Sequence, residues 1–292
     1  MEVAKSFEMF CYNLNMSNEV VEKIRNRYRR ITQNINKNFW NKNSFTEHSL
    51  YVGSYGRDTE IFTSDIDIIV QLPAEYYHRF NRYLNNGQSA LLQMVKNSLQ
   101  QAYFNSYIKG DGQVVCINFD DGINFEIVPV FELEDGSFYY PDSNNGGSWK
   151  ITNPREEIGA IAKVNNDTNK NLKKLCRMLR AWKQEHNINI SGILIDTLAY
   201  NFIKQWAYRN KSYFYYDFLT RDVFYYLKNL NPNQKYWYAP GSNKKVYNEF
   251  NFINQAKKAY NKSIEAIDYY NNDYKYTANC CWREIYGKKF PK

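Results

Sequence analysis

The sequence is poor in the residue patterns that bind zinc or form a disulfide framework. It has three histidines, far apart along the chain, and five cysteines without a C-x-x-C pair: Cys11, Cys116, Cys176, Cys280 and Cys281. Structural zinc sites need closely spaced ligands, and disulfide frameworks usually have an even number of cysteines. We therefore expect neither feature, and an odd set of thiols is typical of a reducing compartment.

Long hydrophobic runs are also missing. No stretch approaches the roughly 18 apolar residues that a membrane-spanning helix needs. The first ten residues, MEVAKSFEMF, contain glutamate and lack the basic-then-apolar order of a secretion signal. The sequence shows no internal repeat. We therefore expect a cytoplasmic protein without a membrane partner.

Positive charge and aromatic residues are abundant. Among 292 residues the net charge is +8, and aromatic residues make up 17%, including 27 tyrosines. The charge is equally consistent with a basic groove for nucleotides or RNA and with a plain solvated surface. We attribute the tyrosines to a compositional drift toward Asn, Lys and Tyr rather than to an aromatic binding surface.

Hydrophobic periodicity predicts an α+β chain. Apolar residues at helical spacing indicate helices over 17–35 and 75–107. Runs at 65–72, 113–119 and 123–131 predict strands, the last two joined as a hairpin at the sequence DDG. The stretch 134–155 is rich in Gly, Pro, Asn and Ser and is predicted to be a linker. We therefore expect a mixed α/β part with an N-terminal helix (1–155) and a helical part (156–292).

Two aspartates interrupt an otherwise apolar strand in the sequence DIDIIVQL, which begins at Asp65. Because side chains alternate along a strand, Asp65 and Asp67 should share one face, about 7 Å apart. Burying two like charges side by side is costly unless a positive group lies between them. Two such carboxylates can share divalent cations such as Mg²⁺, a pattern typical of two-metal phosphoryl transfer.

Two further features strengthen this prediction. Glu126 lies in another apolar run, INFEIVPVF, and a neighbouring strand could bring it beside the aspartates. Pairing with a Lys or Arg explains Glu126 equally well. Gly53 and Ser54 precede the aspartates and can form a turn whose backbone N–H groups and hydroxyl approach a phosphate. The combination of the Gly-Ser turn, the two aspartates and a later acidic residue is a more specific signal of phosphoryl transfer than any one of these features.

The order of these motifs resembles the DNA polymerase β-like nucleotidyltransferase superfamily. Three further stretches resemble one branch of it, the bacterial cGAS/DncV-like nucleotidyltransferases (CD-NTases, SMODS type): YYPDSNNGGSWKITNP, NLKKLCRMLRAWK followed by SGILID, and the ending CCWREIYGKKFP. The resemblance covers residues 47–291. It implies a bilobed enzyme, in which a mixed sheet with helices carries the metal ligands and packs on a C-terminal helical bundle.

The resemblance also implies an activity. CD-NTases join NTPs, ATP among them, into cyclic di- or trinucleotides with release of pyrophosphate, and these second messengers act in bacterial antiphage defence (CBASS). Asp65, Asp67 and Glu126 would be the catalytic residues and would hold two Mg²⁺ ions, with Mn²⁺ as a substitute. Ser54 and the Gly53 backbone would hold the terminal phosphates of the donor. Many superfamily members have Asp where this chain has Glu126, so the chain departs from the pattern there.

Further nucleotide contacts follow from the resemblance in the C-terminal part. Arg180 stands where the family often has Lys, and its guanidinium can clamp phosphate. Lys183 is a second candidate, although a solvated helix face explains both basic residues as well. Ser191 opens the next helix and is a candidate hydroxyl contact to phosphate. Asn166 is our candidate for reading a pyrimidine edge, although capping of the next helix explains it more simply.

Two other functions are compatible with these residues. The chain could add nucleotides to RNA or a small molecule, but the CD-NTase-type ending weighs against this. It could be a catalytically inactive module that senses RNA or nucleotides, but the presence of both aspartates weighs against that. The expected partners are NTP substrates, an activating RNA on a basic surface such as 23–37 and 163–183, and, through the product, a downstream effector. We expect a monomer.

Overall fold

The computed structural model describes residues 2–61 and 65–292. Its helices are α1 (Val3–Asn13), α2 (Asn18–Phe39), α3 (Gly53–Arg57), α4 (Ala74–Asn81), α5 (Gly87–Ala102), α6 (Pro154–Asp167), α7 (Asn171–Glu185), α8 (Gly192–Gln205), α9 (Tyr216–Lys228), α10 (Ile253–Asn271) and α11 (Lys275–Tyr286). Its strands are β1 (Ser49–Tyr51), β2 (Asp65–Gln71), β3 (Tyr107–Asp111), β4 (Val114–Asn118), β5 (Asn124–Glu132), β6 (Phe138–Asp142), β7 (Ser148–Thr152), β8 (Tyr236–Tyr238) and β9 (Lys245–Tyr247). In this part of the chain, no helix has the length and apolar character needed to cross a membrane.

A mixed sheet positions the acidic residues. Among the described residues it has seven strands, in the order β1-β2-β5-β4-β3, with β6 paired to β5 and β7 paired to β6. β2 and β5 are parallel, and the other neighbouring strands are antiparallel. The α+β class and the β4–β5 hairpin predicted from the sequence are confirmed. Pairing of β2 with β5 brings together two acidic runs that are distant in sequence.

β2 has a buried face and a polar face at its start. Ile66 and Ile68 have no exposed surface, and Phe125 on the neighbouring β5 is equally buried. Asp65 is exposed and Asp67 is half-buried. Burial of each large apolar side chain contributes about 1.5–3 kcal/mol. A one-residue slip of the strand would bury the carboxylates and expose the isoleucines, so the apolar face fixes the register.

The single helix predicted over 75–107 is wrong. α4 ends at Asn81, α5 begins at Gly87, and the chain beyond Ala102 leads into β3. Asn86 adopts a left-handed backbone with φ of 38° and caps α5 by accepting a hydrogen bond from the backbone N–H of Ser89. The Asn-Asn-Gly sequence at this break is a turn signal that outweighs the apolar periodicity on either side.

The linker predicted over 134–155 is also wrong, because most of it is a β-hairpin. β6 and β7 pair from Phe138 opposite Thr152 to Asp142 opposite Ser148. Four of the six glycines and asparagines that suggested a linker lie in the turn at 144–147. The strands hold aromatic residues, and the ring of Trp149 lies 5.6 Å from that of Phe131 in β5. Aromatic side chains fit a pleated, half-buried surface, which explains the pairing.

The chain forms two compact units, each built from separate stretches. The sheet unit consists of residues 17–57 and 65–158. The helical unit consists of residues 2–16, 58–61 and 159–292, and it contains the small β8–β9 hairpin. α6 runs through the boundary between Ile158 and Gly159. The assignment of domains with a single boundary after residue 155 stays a prediction.

The C-terminal residues belong to the core of the helical unit. Trp282 is 1% exposed and Phe290 is fully buried. The ring of Phe7 in α1 lies 5.2 Å from Trp282 and 5.1 Å from Phe290. Arg283 donates a hydrogen bond to the carbonyl oxygen of Phe290 at 2.8 Å. The ending CCWREIYGKKFP is therefore explained by packing.

Candidate active site

The β2–β5 register places the three predicted carboxylates on one face of the sheet. Asp67 lies opposite Glu126, and Asp65 lies opposite Asn124. The side-chain amide of Asn124 donates to Asp65 Oδ1 at 3.3 Å. Among the described residues, Glu126 forms no ion pair with a Lys or Arg, so the alternative explanation of Glu126 is not supported.

The Gly53 turn lies directly against Asp67. Gly53 has a φ of +59° and begins α3, the short helix that also contains Ser54. The backbone N–H of Val52 donates to the carbonyl oxygen of Asp67 at 2.9 Å. A Cβ on Gly53 would lie 1.9 Å from Asp67 Oδ2, well inside contact distance. Both the backbone conformation and the space therefore require glycine at this position.

The positive group beside the aspartates is Arg57. Burial raises the pKa of Asp67, and its neighbour Asp65 raises it further, while Arg57 and a hydrogen bond with Glu126 lower it. Arg57 is buried, and its guanidinium lies 3.5 Å from Glu157. Burial also raises the pKa of Glu126, with Asp67 and Asp65 adding to the effect. The environment of Asp67 and Glu126 therefore makes simultaneous ionisation of both carboxyls unfavourable.

The carboxylates at this site fit a divalent cation that takes its remaining ligands from a substrate. Within residues 2–61 and 65–292, no group of three or more His, Cys, Asp and Glu side chains is close enough together to hold a metal ion. Asp67 and Glu126 are nevertheless strand neighbours whose mutual repulsion a cation would relieve. Mg²⁺ typically takes one or two carboxylates and completes its shell with phosphate oxygens and water, so a closed protein cage is not required.

Arg180 is buried and bonded to protein groups. Its guanidinium donates to Asp196 at 3.0 Å, to Thr59 Oγ1 at 3.1 Å and to the carbonyl oxygen of Gly192 at 3.2 Å. Asp196 is fully buried and also accepts from the hydroxyl of Thr59 at 2.9 Å. A buried charge depends strongly on its partner. Arg180 therefore holds Thr59 and α8 together, and its predicted contact with phosphate stays a prediction.

Residues 58–61 are anchored to α7. The carboxylate of Asp58 pairs with Lys173 at 3.0 Å and with Arg177. Arg177 also donates to the carbonyl oxygen of Glu60 at 3.1 Å. Ile61 is 7% exposed within the core of the helical unit. Residues 58–61, which follow the Gly53 turn in sequence, therefore belong to the helical unit.

The remaining predicted contacts also lie in the helical unit. Lys183 is half-buried on α7, and burial together with Arg180 lowers its pKa. Ser191 caps α8, its hydroxyl accepting a hydrogen bond from the N–H of Leu194 at 3.3 Å. Asn166 is exposed near the end of α6 and accepts a hydrogen bond from Lys170. These residues belong to a different unit from the carboxylates and the Gly53 turn.

Sequence reasoning missed three polar residues of these networks. Arg57 follows Gly53 by four residues, which places it at the end of the same short helix. Thr59 lies two residues further on, and Asp196 is a single charge in the apolar helix sequence GILIDTLAY. An isolated acidic residue on a buried helix face requires a positive partner, so Asp196 was the signal that could have identified the role of Arg180.

Comparisons with known proteins identify relatives of this chain. A probable cyclic nucleotide synthase of Bacillus cereus (strain VD146) is 26% identical over 177 residues, which are 57% of this chain and 51% of that protein. The match thus spans about half the length of that relative. The cyclic AMP-AMP-AMP synthase of an Acinetobacter species is 21% identical over 256 residues, 84% of this chain and 73% of that protein.

The fold matches that of solved structures over nearly the whole chain. CdnC of E. coli MS115-1, in complex with HORMA-deltaN, superposes with a TM-score of 0.71 at 16% identity, covering 99% of this chain and 98% of that one. The structure of CdnC with ATP gives a TM-score of 0.64 over the same shares. At this identity the likeness establishes the fold alone.

A mixed sheet with paired carboxylates beside a Gly-Ser turn, followed by a set of helices, is the architecture of a polymerase β-like nucleotidyltransferase. The sequence profile of the Second Messenger Oligonucleotide or Dinucleotide Synthetase (SMODS) domain matches residues 1–165, more than half of the chain. This chain belongs to that family, and the CD-NTase resemblance inferred from its motifs is confirmed.

Proposed function

We propose that this chain joins NTPs into a cyclic di- or trinucleotide with release of pyrophosphate. The observation that carries the proposal is the register of β2 and β5, which sets Asp67 beside Glu126 on the face that also bears Asp65. Two half-buried carboxyls next to each other destabilise the fold when no cation is present, and they form a binding site for a cationic ligand. Membership of the SMODS family supports NTPs as the substrate class of this site.

Asp65, Asp67 and Glu126, together with the phosphate oxygens of a bound NTP and water, would hold two Mg²⁺ ions, with Mn²⁺ as a substitute. When bound, these ions lower the pKa of the attacking ribose hydroxyl and neutralise the phosphate charge that develops. The longer Glu126 side chain is compatible with this role, because in this structure it already lies beside Asp67. Phosphoryl transfer needs positioning and electrostatic stabilisation more than covalent chemistry from the protein.

The remaining residues would bind and orient the nucleotides. The Gly53 turn presents backbone N–H groups and the Ser54 hydroxyl to the donor phosphates, and Arg57 balances the carboxylate charge behind it. The hydroxyl of Ser191 accepts its capping bond and keeps its own proton to donate. Lys183 is the phosphate-binding candidate on α7. Arg180 acts as a positioning residue, because its donors bind Asp196 and Thr59.

ATP is the substrate to test first. The Acinetobacter relative is a cyclic AMP-AMP-AMP synthase, and CdnC was solved with ATP. Asn166 remains our candidate for base selection because it is an exposed amide. If it reads a pyrimidine edge, Asn166→Ser should change which NTPs enter the product, and an unchanged base preference would remove Asn166 from the site.

The first experiment is incubation of the full chain with Mg²⁺ and all four radiolabelled NTPs, followed by phosphatase and chromatography. We expect a phosphatase-resistant cyclic product, and Asp67→Asn should reduce it by at least about 1,000-fold, since positioning of the reacting groups provides most of the rate. Omitting single NTPs identifies the bases, and mass spectrometry gives the ring size.

Asp120→Asn is the matched control, because Asp120 is an exposed aspartate in the β4–β5 turn. It should leave synthesis unchanged. A folded Asp67→Asn variant with wild-type turnover would contradict the proposal. Label that appears in a phosphatase-treated RNA ladder would favour addition of nucleotides to RNA, and NTP binding without turnover under every condition would favour an inactive sensor.

We infer that the product acts as a second messenger in antiphage (CBASS) signalling and is recognised by a downstream effector. The second-messenger activity that defines the SMODS family supports this role. Phage plating on bacteria carrying the native gene cluster tests it. Plaque numbers should rise when Asp67→Asn replaces the wild-type residue, and equal plating would contradict the defence role.

A further inference from the structure

The β8–β9 hairpin displays tyrosines on one face and anchors the other face in the core. Tyr236 lies opposite Tyr247, and Tyr238 lies opposite Lys245. Side chains alternate along a strand, so these four residues share one face. Trp237, on the opposite face, is 7% exposed and belongs to the core of the helical unit. The packing of Trp237 in the core therefore holds the tyrosine face in place.

The tyrosine rings form an exposed aromatic surface. Tyr238 is 54% exposed and Tyr247 is 62% exposed. The ring of Tyr236 lies 5.6 Å from that of Tyr238 and 5.8 Å from that of Tyr247. The ammonium group of Lys245 lies 4.6 Å from the centre of the Tyr236 ring. Aromatic faces of this kind stack on nucleobases without requiring a particular sequence.

The hairpin carries an unneutralised positive charge. Lys235, Lys244 and Lys245 are exposed, and within the described part of the chain none of them forms an ion pair. Residues 231–250 contain three lysines and one acidic residue, Glu249. Lys245 lies on the tyrosine face, and Lys235 and Lys244 directly precede the two strands, so the hairpin offers three ammonium groups to a chain of phosphates.

The basic face of α2 offers a contrast. Lys23 pairs with Glu19 at 3.0 Å, and Arg25 pairs with Glu22 at 2.7 Å. Local acidic residues therefore neutralise part of the surface that the sequence suggested for RNA. The hairpin lysines keep their charge available for an external anion.

A cleft of about 740 Å³ adjoins the tyrosine face. Tyr236 and Tyr238 line it together with four amide residues: Asn201, Asn231, Asn233 and Gln234. Amide side chains both donate and accept hydrogen bonds, as the edges of unpaired bases require. The cleft thus places polar groups next to the stacking surface.

We propose that the β8–β9 hairpin and its cleft bind single-stranded nucleic acid. Unpaired bases stack on the tyrosine face, the amides contact base edges, and the lysines bind the phosphates. A duplex does not expose its base faces, so it lacks the stacking contact. A protein partner would suit the tyrosines but not the three lysines, since tyrosine is enriched and lysine depleted at protein interfaces.

The test is fluorescence anisotropy with the full chain, without NTPs, and a short labelled oligouridylate. The Tyr238→Ala/Tyr247→Ala double variant should weaken binding at least about tenfold, because each lost stacking contact is costly. Lys235→Gln/Lys244→Gln should lower the slope of log affinity against log salt by about 0.7 per lysine. Oligodeoxythymidylate in a parallel titration distinguishes RNA from DNA as the ligand.

Tyr274→Ala/Tyr276→Ala is the matched control, because these tyrosines are 63% and 67% exposed outside the hairpin. It should bind like the wild type. Equal affinity of the hairpin and control variants would overturn the proposal, as would equally strong competition by a duplex of the same length. Because the assay contains no NTP, an absence of oligonucleotide binding can be distinguished from an absence of the proposed synthase activity.

Discussion

Gly53 is the residue with the least tolerance for substitution in the candidate active site. Gly53→Ala would place a methyl group 1.9 Å from Asp67 Oδ2 and force alanine into a left-handed backbone conformation. Either the turn or the carboxylate must move, and a displacement of about 1 Å can cost 100-fold in rate. We expect cyclic product to fall by about that factor, measured with radiolabelled ATP and Mg²⁺.

Gly159→Ala is a suitable control for this substitution. A Cβ at Gly159 meets nothing within 4 Å, and the residue lies inside α6. Alanine is favoured over glycine in a helix by about 1 kcal/mol, so this variant should keep its activity and melt slightly higher. Equal activity of the two glycine variants would show that the Gly53 turn does not position Asp67 for the reaction.

The carboxylates could be predicted from the sequence, whereas their surroundings could not. Asp65 and Asp67 stand out because they break a period-2 apolar pattern, and Glu126 does the same on its own strand. Arg57, by contrast, lies in a short polar stretch where a surface arginine is ordinary. Its burial depends on a contact with Glu157, a hundred residues away in sequence, and no local pattern encodes that contact.

At the scale of elements, one buried ion pair, Arg180 with Asp196, joins Thr59 to α7 and α8. Asp196→Ala would leave the buried Arg180 guanidinium without its carboxylate partner. Breaking a buried pair from one side typically costs about 3–5 kcal/mol. We expect a loss of stability of that size, measured by urea unfolding.

Lys275→Ala is the comparison for this loss, because Lys275 forms an exposed ion pair with Asp273. Exposed pairs contribute about 0–1 kcal/mol. If both variants lost equally little stability, the Arg180–Asp196 pair would not be the anchor that its burial indicates.

The elements that the sequence mispredicted share a physical cause. The break before α5 and the turn of the β6–β7 hairpin each contain an asparagine with a left-handed backbone, Asn86 and Asn145. Such residues mark a sharp turn as readily as an extended linker, and the choice depends on whether the flanking residues find a partner. The partner of β6 is the end of β5, and that pairing is a tertiary contact.

At the scale of the whole molecule, Glu60 makes stability depend on pH. Burial raises the pKa of Glu60 to about 7, partly offset by its backbone hydrogen bond and by Arg177. The folded chain therefore binds a proton at Glu60 more tightly than the unfolded chain does, because glutamates in an unfolded chain titrate near 4.3. The stabilisation is complete below pH 4 and is lost as the pH rises through about 7.

Glu60→Gln should remove this dependence. We expect the variant to be more stable than the wild type at pH 8, by about 1–3 kcal/mol, and to show little advantage at pH 4, because one pKa unit corresponds to 1.36 kcal/mol. Melting temperatures across this range provide the measurement, with exposed Glu134→Gln as the control. Parallel profiles for Glu60→Gln and the wild type would contradict the prediction.

The interleaving of the two units determines how the chain can be divided. Its path crosses from one unit to the other after residue 16, after residue 57, between 61 and 65, and after residue 158. A fragment that begins after residue 158 would lack pieces of the helical core, such as Phe7 of α1. The helical unit can therefore not be produced, exchanged between relatives or fused to another protein as a contiguous module, whereas residues 17–158 contain both stretches of the sheet unit.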